Sequence, residues 1–356
     1  MRVGLLLEQC LAPVPGGTGR YSRELYRALV ATAPEGAGVD PWTAYHRTPL
    51  RFPQHQGAGE IAARRLPLPR RALIAAWERG RGPGVPGDVV HAPTPLHPPR
   101  RDSPLVVTIH DAVPWTHPET LTPRGVTWHR TMIARAVATA DLLVVPTEAV
   151  AEALGRHLAL RDLVVVGEGV SPDLVVPDDA DERAARLGLP DRYLLTVGTL
   201  EPRKGLHLLA AALDGSLPLL CAGPQGWGAQ RPLPGSRLLG RVSEPDLAVL
   251  MSRATALVMP SLDEGFGLPL LEAMSLGTPV LTSDVPALVE VGKDAALAVP
   301  LAELRDGIRA ITTDEPLRAR LREAGPRRAA DFSWVNAAET LWRAYADLRQ
   351  RSRGQA

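Results

Sequence analysis

Residues 259–284 read MPSLDEGFGLPLLEAMSLGTPVLTSD. The apolar run Thr255–Met259 leads into this stretch and has the character of a buried parallel strand. Asp263–Gly267 follows as a turn holding two glycines. A short helix is expected next, with Pro269 in its first turn, where a missing N–H costs nothing. Gly277 and Pro279 stop that helix, and Pro279–Ser283 reads as the next strand. A strand, a glycine turn and a helix in that order make the repeating unit of a doubly wound parallel sheet.

A glycine turn between a strand's carboxyl end and a helix N-terminus bares backbone N–H groups. The helix dipole adds about half a positive charge there. The expected guest is an anion, most naturally a phosphate. Glu264 precedes the turn and Glu272 sits eight residues later, inside the helix. Two carboxylates hold a phosphate badly, because like charges repel. They suit hydroxyls on either side of it, and a phosphate flanked by hydroxyl-rich groups is a nucleotide sugar. The plainer account is that Glu264 caps the helix and Glu272 is solvated.

Glu264, the run Gly-Phe-Gly-Leu-Pro-Leu-Leu and Glu272 resemble the signature of family 4 of the retaining glycosyltransferases. The resemblance implies the GT-B fold. That is an α/β fold of two Rossmann-like, doubly wound parallel-sheet domains facing across a cleft, with a C-terminal helix crossing back to the first domain. It also implies that Glu264 meets the donor sugar and Glu272 the ribose. Backbone amides of Gly265, Phe266, Gly267 and Leu268 would meet sugar and diphosphate.

Upstream, Tyr193–Val197 reads as a buried strand and Gly198–Gly205, GTLEPRKG, as the loop at its carboxyl end. The basic residues are almost all arginine; Lys204 and Lys293 are the two lysines. Adjacent cations at Arg203 and Lys204 clash unless a dianion lies between or above them. The resemblance makes Lys204, with a nearby arginine, the group that holds the donor diphosphate and stabilises it as leaving group. Many family members carry an arginine directly after the first glycine, where this chain has Thr199, so the arginine's role falls to Arg203. Gly198 and the Gly240–Val242 turn, through Val242, are then donor-binding positions, the latter holding the base by backbone atoms.

In the first half, Val3–Leu7 reads as a strand, and Gly16–Arg20 opens a helix with Tyr21, Leu25, Ala28 and Leu29 on one face and Arg23, Glu24 and Arg27 off it. Gly17–Ser22 nearly matches the dinucleotide fingerprint, and Asp40 lies about twenty residues on, where a ribose carboxylate would be. Against an NAD-linked enzyme stand Ser22 at the third glycine position and glycines set well after the strand's end. The resemblance instead places Gly16 and Gly17 opposite the donor diphosphate. Asp88–His91 and Leu105–Ile109 read as strands, and His110-Asp111 closes the second. Family members carry a histidine here beside the donor sugar; an ordinary strand-end His-Asp pair is the alternative. Gly167–Pro172, GEGVSP, resembles the interdomain hinge. Asp179-x-Asp181 has the spacing of a metal site in another transferase fold, but it precedes a helix with no strand before it, so capping explains it better. No metal and no cofactor are expected.

The chain's 356 residues suggest two domains. The expected division is an acceptor-side domain over 1–168, with 332–352 packing back on it, and a nucleotide-sugar domain over 173–331. A net charge of +1 argues against general nucleic-acid binding. No secretory leader is evident and no apolar run approaches the ~18 residues of a membrane span. Two isolated cysteines, Cys10 and Cys221, suit a reducing cytoplasm. His46–Pro86 is arginine- and proline-rich, its arginines spanning 47–81, and reads as irregular, apart from a short helix at Arg71–Arg79. This segment suits a lipid phosphate or an anionic membrane face, or it is a solvated loop of an arginine-rich protein. The expected activity is a metal-independent, retaining hexosyl transfer to a glycan, lipid-linked or small-molecule acceptor. LEPRKG and the Gly16–Arg20 loop look most like the mannosyltransferase branch, which makes GDP-mannose the first choice over UDP- or dTDP-sugars. The rivals are an NAD-linked enzyme and a non-catalytic nucleotide-sugar-binding subunit.

Overall fold

The computed structural model describes residues 1–53, 60–226 and 235–354. The chain forms two compact units. The first comprises Met1–Trp115, Thr122–Glu168 and Trp334–Ala356; the second comprises Thr116–Leu121 and Gly169–Ser333.

The strands of the first unit are β1 (Arg2–Leu6), β2 (Gly38–Tyr45), β3 (Arg51–Pro53), β4 (Glu60–Ala62), β5 (Arg64–Pro69), β6 (Val89–Ala92), β7 (Leu105–Thr108), β8 (Leu142–Val145) and β9 (Leu163–Val165). Seven of them form one sheet in the order β5-β2-β1-β6-β7-β8-β9, with every pair parallel. β3 and β4 make a separate antiparallel pair. β6 and β7 are buried along their whole length, as strands covered on both faces must be, which is why they read as continuous apolar runs. The core gathers Leu6, Trp77, Val107 and Ile133, among others.

β2 and β6 flank β1, so the strand order reverses there, and the crevice outside the carboxyl ends at such a reversal is where open α/β sheets bind ligands. The final helix, Trp334–Gly354, belongs to this unit. Its Trp342 indole donates to the Leu29 carbonyl at 3.1 Å, and its Tyr345 hydroxyl lies 2.6 Å from His91 Nδ1.

The second unit has β10 (Leu194–Val197), β11 (Leu219–Ala222), β12 (Ser236–Gly240), β13 (Ala256–Met259), β14 (Val280–Ser283) and β15 (Leu297–Val299). These lie parallel in the order β12-β11-β10-β13-β14-β15, with the reversal between β10 and β13. Both units are therefore Rossmann-like parallel sheets.

Four details differ from the sequence reading. β2 and the edge strand β12 were not foreseen. Pro41 interrupts the first, and interior prolines argue against a strand; Arg237 and Leu238 leave the second with little buried face. The segment read as irregular carries β3, β4, β5 and the helix Arg70–Glu78, while its residues 54–59 lie outside those described. Glu24 is buried, with Arg23 and Arg27 each at 3.4 Å. Asp179 makes no side-chain cap; it holds Arg183 at 2.7 Å, and Asp181 pairs with Arg253. Among the described residues no group of three or more His, Cys, Asp or Glu is arranged to hold a metal, and no helix is long and apolar enough to cross a membrane.

Gly205 shows how closely the β10 and β13 loops approach. Its φ is +63°, and a Cβ there would stand 2.0 Å from the Pro260 carbonyl oxygen. Gly205→Ala should lower the free energy of urea unfolding by at least about 1–3 kcal/mol, the usual cost of a left-handed non-glycine residue, with the clash adding to it. Gly17→Ala, whose added carbon meets nothing within 4 Å, is the control and should leave the midpoint nearly unchanged.

Candidate active site

The site in the second unit grows from the reversal between β10 and β13. The loop after β10 passes through the short turn Pro202–Lys204 into Gly205. The Leu262 N–H donates to the Arg203 carbonyl at 2.8 Å, tying this loop to the one after β13. Arg203 and Lys204 are thereby set beside Glu264. Lys204 Nζ donates to Glu264 Oε1 at 2.6 Å, and Ser261 Oγ donates to the same oxygen at 2.8 Å. Arg203 Nη1 donates to Oε2 at 3.1 Å and to the Asp263 carbonyl at 3.0 Å. Its Nη2 and Nε donate to Glu201 Oε1 at 2.7 and 3.1 Å. The anion demanded between the two cations is thus supplied by Glu264 itself.

Glu264 is only 6% exposed, against 17% for Arg203 and 16% for Lys204. Burial pushes its carboxyl up. The charges of Lys204 and Arg203, with hydrogen bonds from Lys204 and Ser261, overcome burial and hold it at about 2, against an ordinary 4.5. The sequence reading gave the glutamate to a sugar and the cations to a diphosphate; the structure joins all three in one ion-paired cluster. Both plainer accounts fail. Glu264 is held by cations rather than capping a helix, and Glu272 is 1% exposed within the helix Leu268–Ser275 rather than solvated.

That helix begins at Gly267, whose φ is +88°, and no side chain caps it. Phe266 packs its ring edge-on against Phe332, with centroids 5.4 Å apart, which leaves its backbone for any ligand contact. Leu268 and Gly265 complete the turn. Gly198 opens the β10 loop, and its N–H donates to the Ala222 carbonyl at 2.9 Å. Val242 is half-buried after β12, just before Ser243, which caps the next helix by accepting from the Asp246 N–H.

In the first unit, His110 follows β7, and its Nε2 lies 2.8 Å from the Pro93 carbonyl. Gly16 and Gly17 begin the helix Gly16–Ala31 with open space around both. Asp40 is ion-paired with Arg2 and with Arg64, the latter at 3.2 Å. It stands within β2 rather than at its carboxyl end, so the NAD reading loses its ribose ligand.

Sequence reasoning missed Glu201, Ser261 and Glu8. The first lies inside the LEPRKG loop already singled out, where an acid beside two cations was the available signal. Glu8 is 1% exposed; it accepts from the Ala44 N–H at 2.7 Å and lies 3.1 Å from His46 Nε2. Nothing in its local sequence sets it apart from a solvated acid.

The model for the group 1 glycosyl transferases matches residues 178–328, and that for glycosyltransferase family 4 matches residues 15–174. With two parallel-sheet units and this site, the chain belongs to the group 1 glycosyltransferases of GT-B fold. Among known proteins it is similar to the D-inositol 3-phosphate glycosyltransferase of Streptomyces avermitilis, 33% identical over 61% of this chain and 54% of that protein. The O-antigen chain mannosyltransferase B of Escherichia coli is 36% identical over 43% of this chain and 45% of its own length. The chain spans about half the length of these curated relatives. In fold it resembles the sucrose-phosphate synthase of Thermosynechococcus elongatus, with a TM-score of 0.74 at 22% identity over 98% of this chain and 99% of that one. Anabaena HepE in complex with UDP-glucose gives 0.70 at 19% identity, covering 98% of this chain and 100% of that one.

The depressed Glu264 carboxyl makes a stability prediction with a definite sign. Its folded value lies below the unfolded one, so the cluster contributes fully above about pH 4.5 and is lost as pH falls toward 2. Urea unfolding of wild type and Glu264→Gln should show wild type the more stable at pH 7 and the gap narrowing at pH 3. A gap independent of pH would mean that the carboxylate is not held by the cations.

Proposed function

We propose that this protein is a retaining glycosyltransferase that moves a hexose from a nucleotide sugar to an acceptor hydroxyl. The observation that carries it is the cluster of Arg203, Lys204 and Glu264 at the carboxyl ends of β10 and β13, beside an uncapped helix N-terminus. Residues 173–331 take the donor. Residues 1–168, with 332–352, take a glycan, lipid-linked or small-molecule acceptor. Lys204 and Arg203 hold the diphosphate, Glu264 orients the sugar and Glu272 holds the ribose, while His110, Gly16 and Gly17 are the first unit's own candidates for acting on the donor.

In the reaction the C1–O bond to the diphosphate breaks, and the acceptor oxygen bonds to C1 on the same face. The acceptor's proton passes to the departing phosphate oxygen. Charge developing on that phosphate is met by Lys204 and Arg203, which is commonly the largest catalytic contribution. No carboxylate nucleophile and no metal are required.

Mannose from GDP-mannose is the donor we favour. LEPRKG supports it, as do the mannosyltransferases among the relatives. A UDP-sugar is the competing choice, because HepE binds one. The protein works in the cytoplasm, and the arginines of 47–81 offer a face for an anionic membrane or a lipid phosphate.

A thermal-shift panel of GDP, UDP, dTDP and NAD separates the donors, since a ligand at 100 times its Kd stabilises by about 2.7 kcal/mol. GDP should give the largest shift; a shift with NAD alone would overturn the assignment. Lys204→Ala should cut turnover by ~10²-fold or more while the fold is kept, and a near-normal rate would remove Lys204 from the mechanism. Turnover should survive EDTA; loss that magnesium or manganese restores would refute the metal-free reaction. Glu264→Gln should depress kcat and retain affinity for the bare nucleoside diphosphate. Glu272→Gln should weaken that affinity by roughly 1.5–3 kcal/mol, one charge-assisted hydrogen bond. Calorimetry beside kinetics reads both, and the opposite pattern would reverse the two roles.

A further inference from the structure

Glu168 lies at the last position of a first-unit segment, between Gly167 and Gly169, and is 5% exposed. Its Oε1 stands 3.7 Å from His110 Nδ1. The other ring nitrogen, Nε2, lies 2.8 Å from the Pro93 carbonyl oxygen. A carbonyl only accepts, so Nε2 carries a proton. A bare lone pair on Nδ1 would face a carboxylate oxygen and be repelled, whereas a proton there is attracted.

The other groups around the ring are also visible. Tyr21 meets it edge-on, with centroids 4.6 Å apart. Asp111 is the next residue in the chain. His91, on β6, is pushed down to about 3 by burial and then by His110, and its nitrogens engage the Tyr345 and Thr108 hydroxyls at 2.6 and 2.8 Å. His129 is pushed down by burial, with Asp111 acting against it. The two histidines are therefore neutral neighbours, and the negative charge comes from Glu168 and Asp111.

We propose that Glu168 is a positioning residue for His110, its carboxylate and the Pro93 carbonyl clamping the imidazole between them as a fixed, doubly protonated cation. The balance of forces agrees. Burial lowers the His110 pKa, but the Glu168 carboxylate 3.7 Å away, then Pro93 and Asp111, outweigh it and raise the pKa above 6.5. A ring with both nitrogens protonated has no lone pair to offer. His110 then acts by charge and position, not as a base, consistent with the proton passing to the departing phosphate. That role rests on the glycosyl-transfer reading; the clamp itself does not.

The test is a pH titration of ¹³C-labelled histidine by NMR, with the His110 signal assigned by its loss in His110→Gln. In wild type the His110 imidazolium should persist above pH 6.5. In Glu168→Gln burial is left unopposed by that carboxylate, so the midpoint should fall below that of wild type. Glu168→Asp keeps the charge and should restore part of the shift; it also serves if the glutamine variant folds poorly. In kinetics with the preferred nucleotide sugar, the alkaline limb of kcat/KM should move to lower pH in Glu168→Gln by the same amount. An unchanged midpoint with a lowered Tm would make Glu168 a mere brace and overturn the proposal. So would a wild-type midpoint at or below 6.5. If no sugar transfer is found but the titration behaves as stated, the functional reading fails and the clamp stands.

Discussion

A carboxylate as deeply buried as Glu264 stays ionised only where cations come to meet it. In the second unit that requirement fixes the meeting of two loops. Lys204 and Arg203 must reach Glu264 from the end of β10, and Glu264 must be presented from the end of β13. The left-handed Gly205 permits the approach, and the bond from the Leu262 N–H to the Arg203 carbonyl secures it. Adjacency of β10 and β13 at the strand-order reversal supplies the frame. The cluster therefore arrives preorganised, with the charges of Arg203 and Lys204 already balanced by Glu201 and Glu264.

The legible part of the fold was the part with the steadiest physical signal. β10, β13 and β14 are short apolar runs buried on both faces, and the glycines and prolines between them mark turns with little ambiguity. β2 and β5 were hidden because proline, the usual sign that a strand is absent, occurs inside them; tertiary pairing with β1 and the sheet edge overrode it. Glu24 was hidden for a related reason. A charge at that place on a helix is normally solvated, and only the neighbouring arginines show why burial is tolerated.

For the candidate site, the residue types were readable and their mutual contacts were not. Lys204 and Glu264 were conspicuous by rarity and by motif, yet sixty residues of chain separate them, and no periodicity reports that their side chains touch. Glu201 and Ser261 were passed over because each is ordinary in its own neighbourhood; only the fold makes them partners of Arg203 and Glu264. Glu168 was noticed as part of a hinge-like stretch, whereas its relation to His110 depends on where β7 ends.

The outer strand β5 has a further consequence, for solubility. An exposed sheet edge is a template on which a second copy of a chain can add a strand. β5 presents Arg64 and Arg65 to solvent and carries Pro67 and Pro69, which have no N–H to offer. A strand from another molecule would meet positive charge and missing donors along that border. The abundance of arginine and proline in this region thus guards the sheet against edge-to-edge aggregation, whatever ligand or surface its basic face meets.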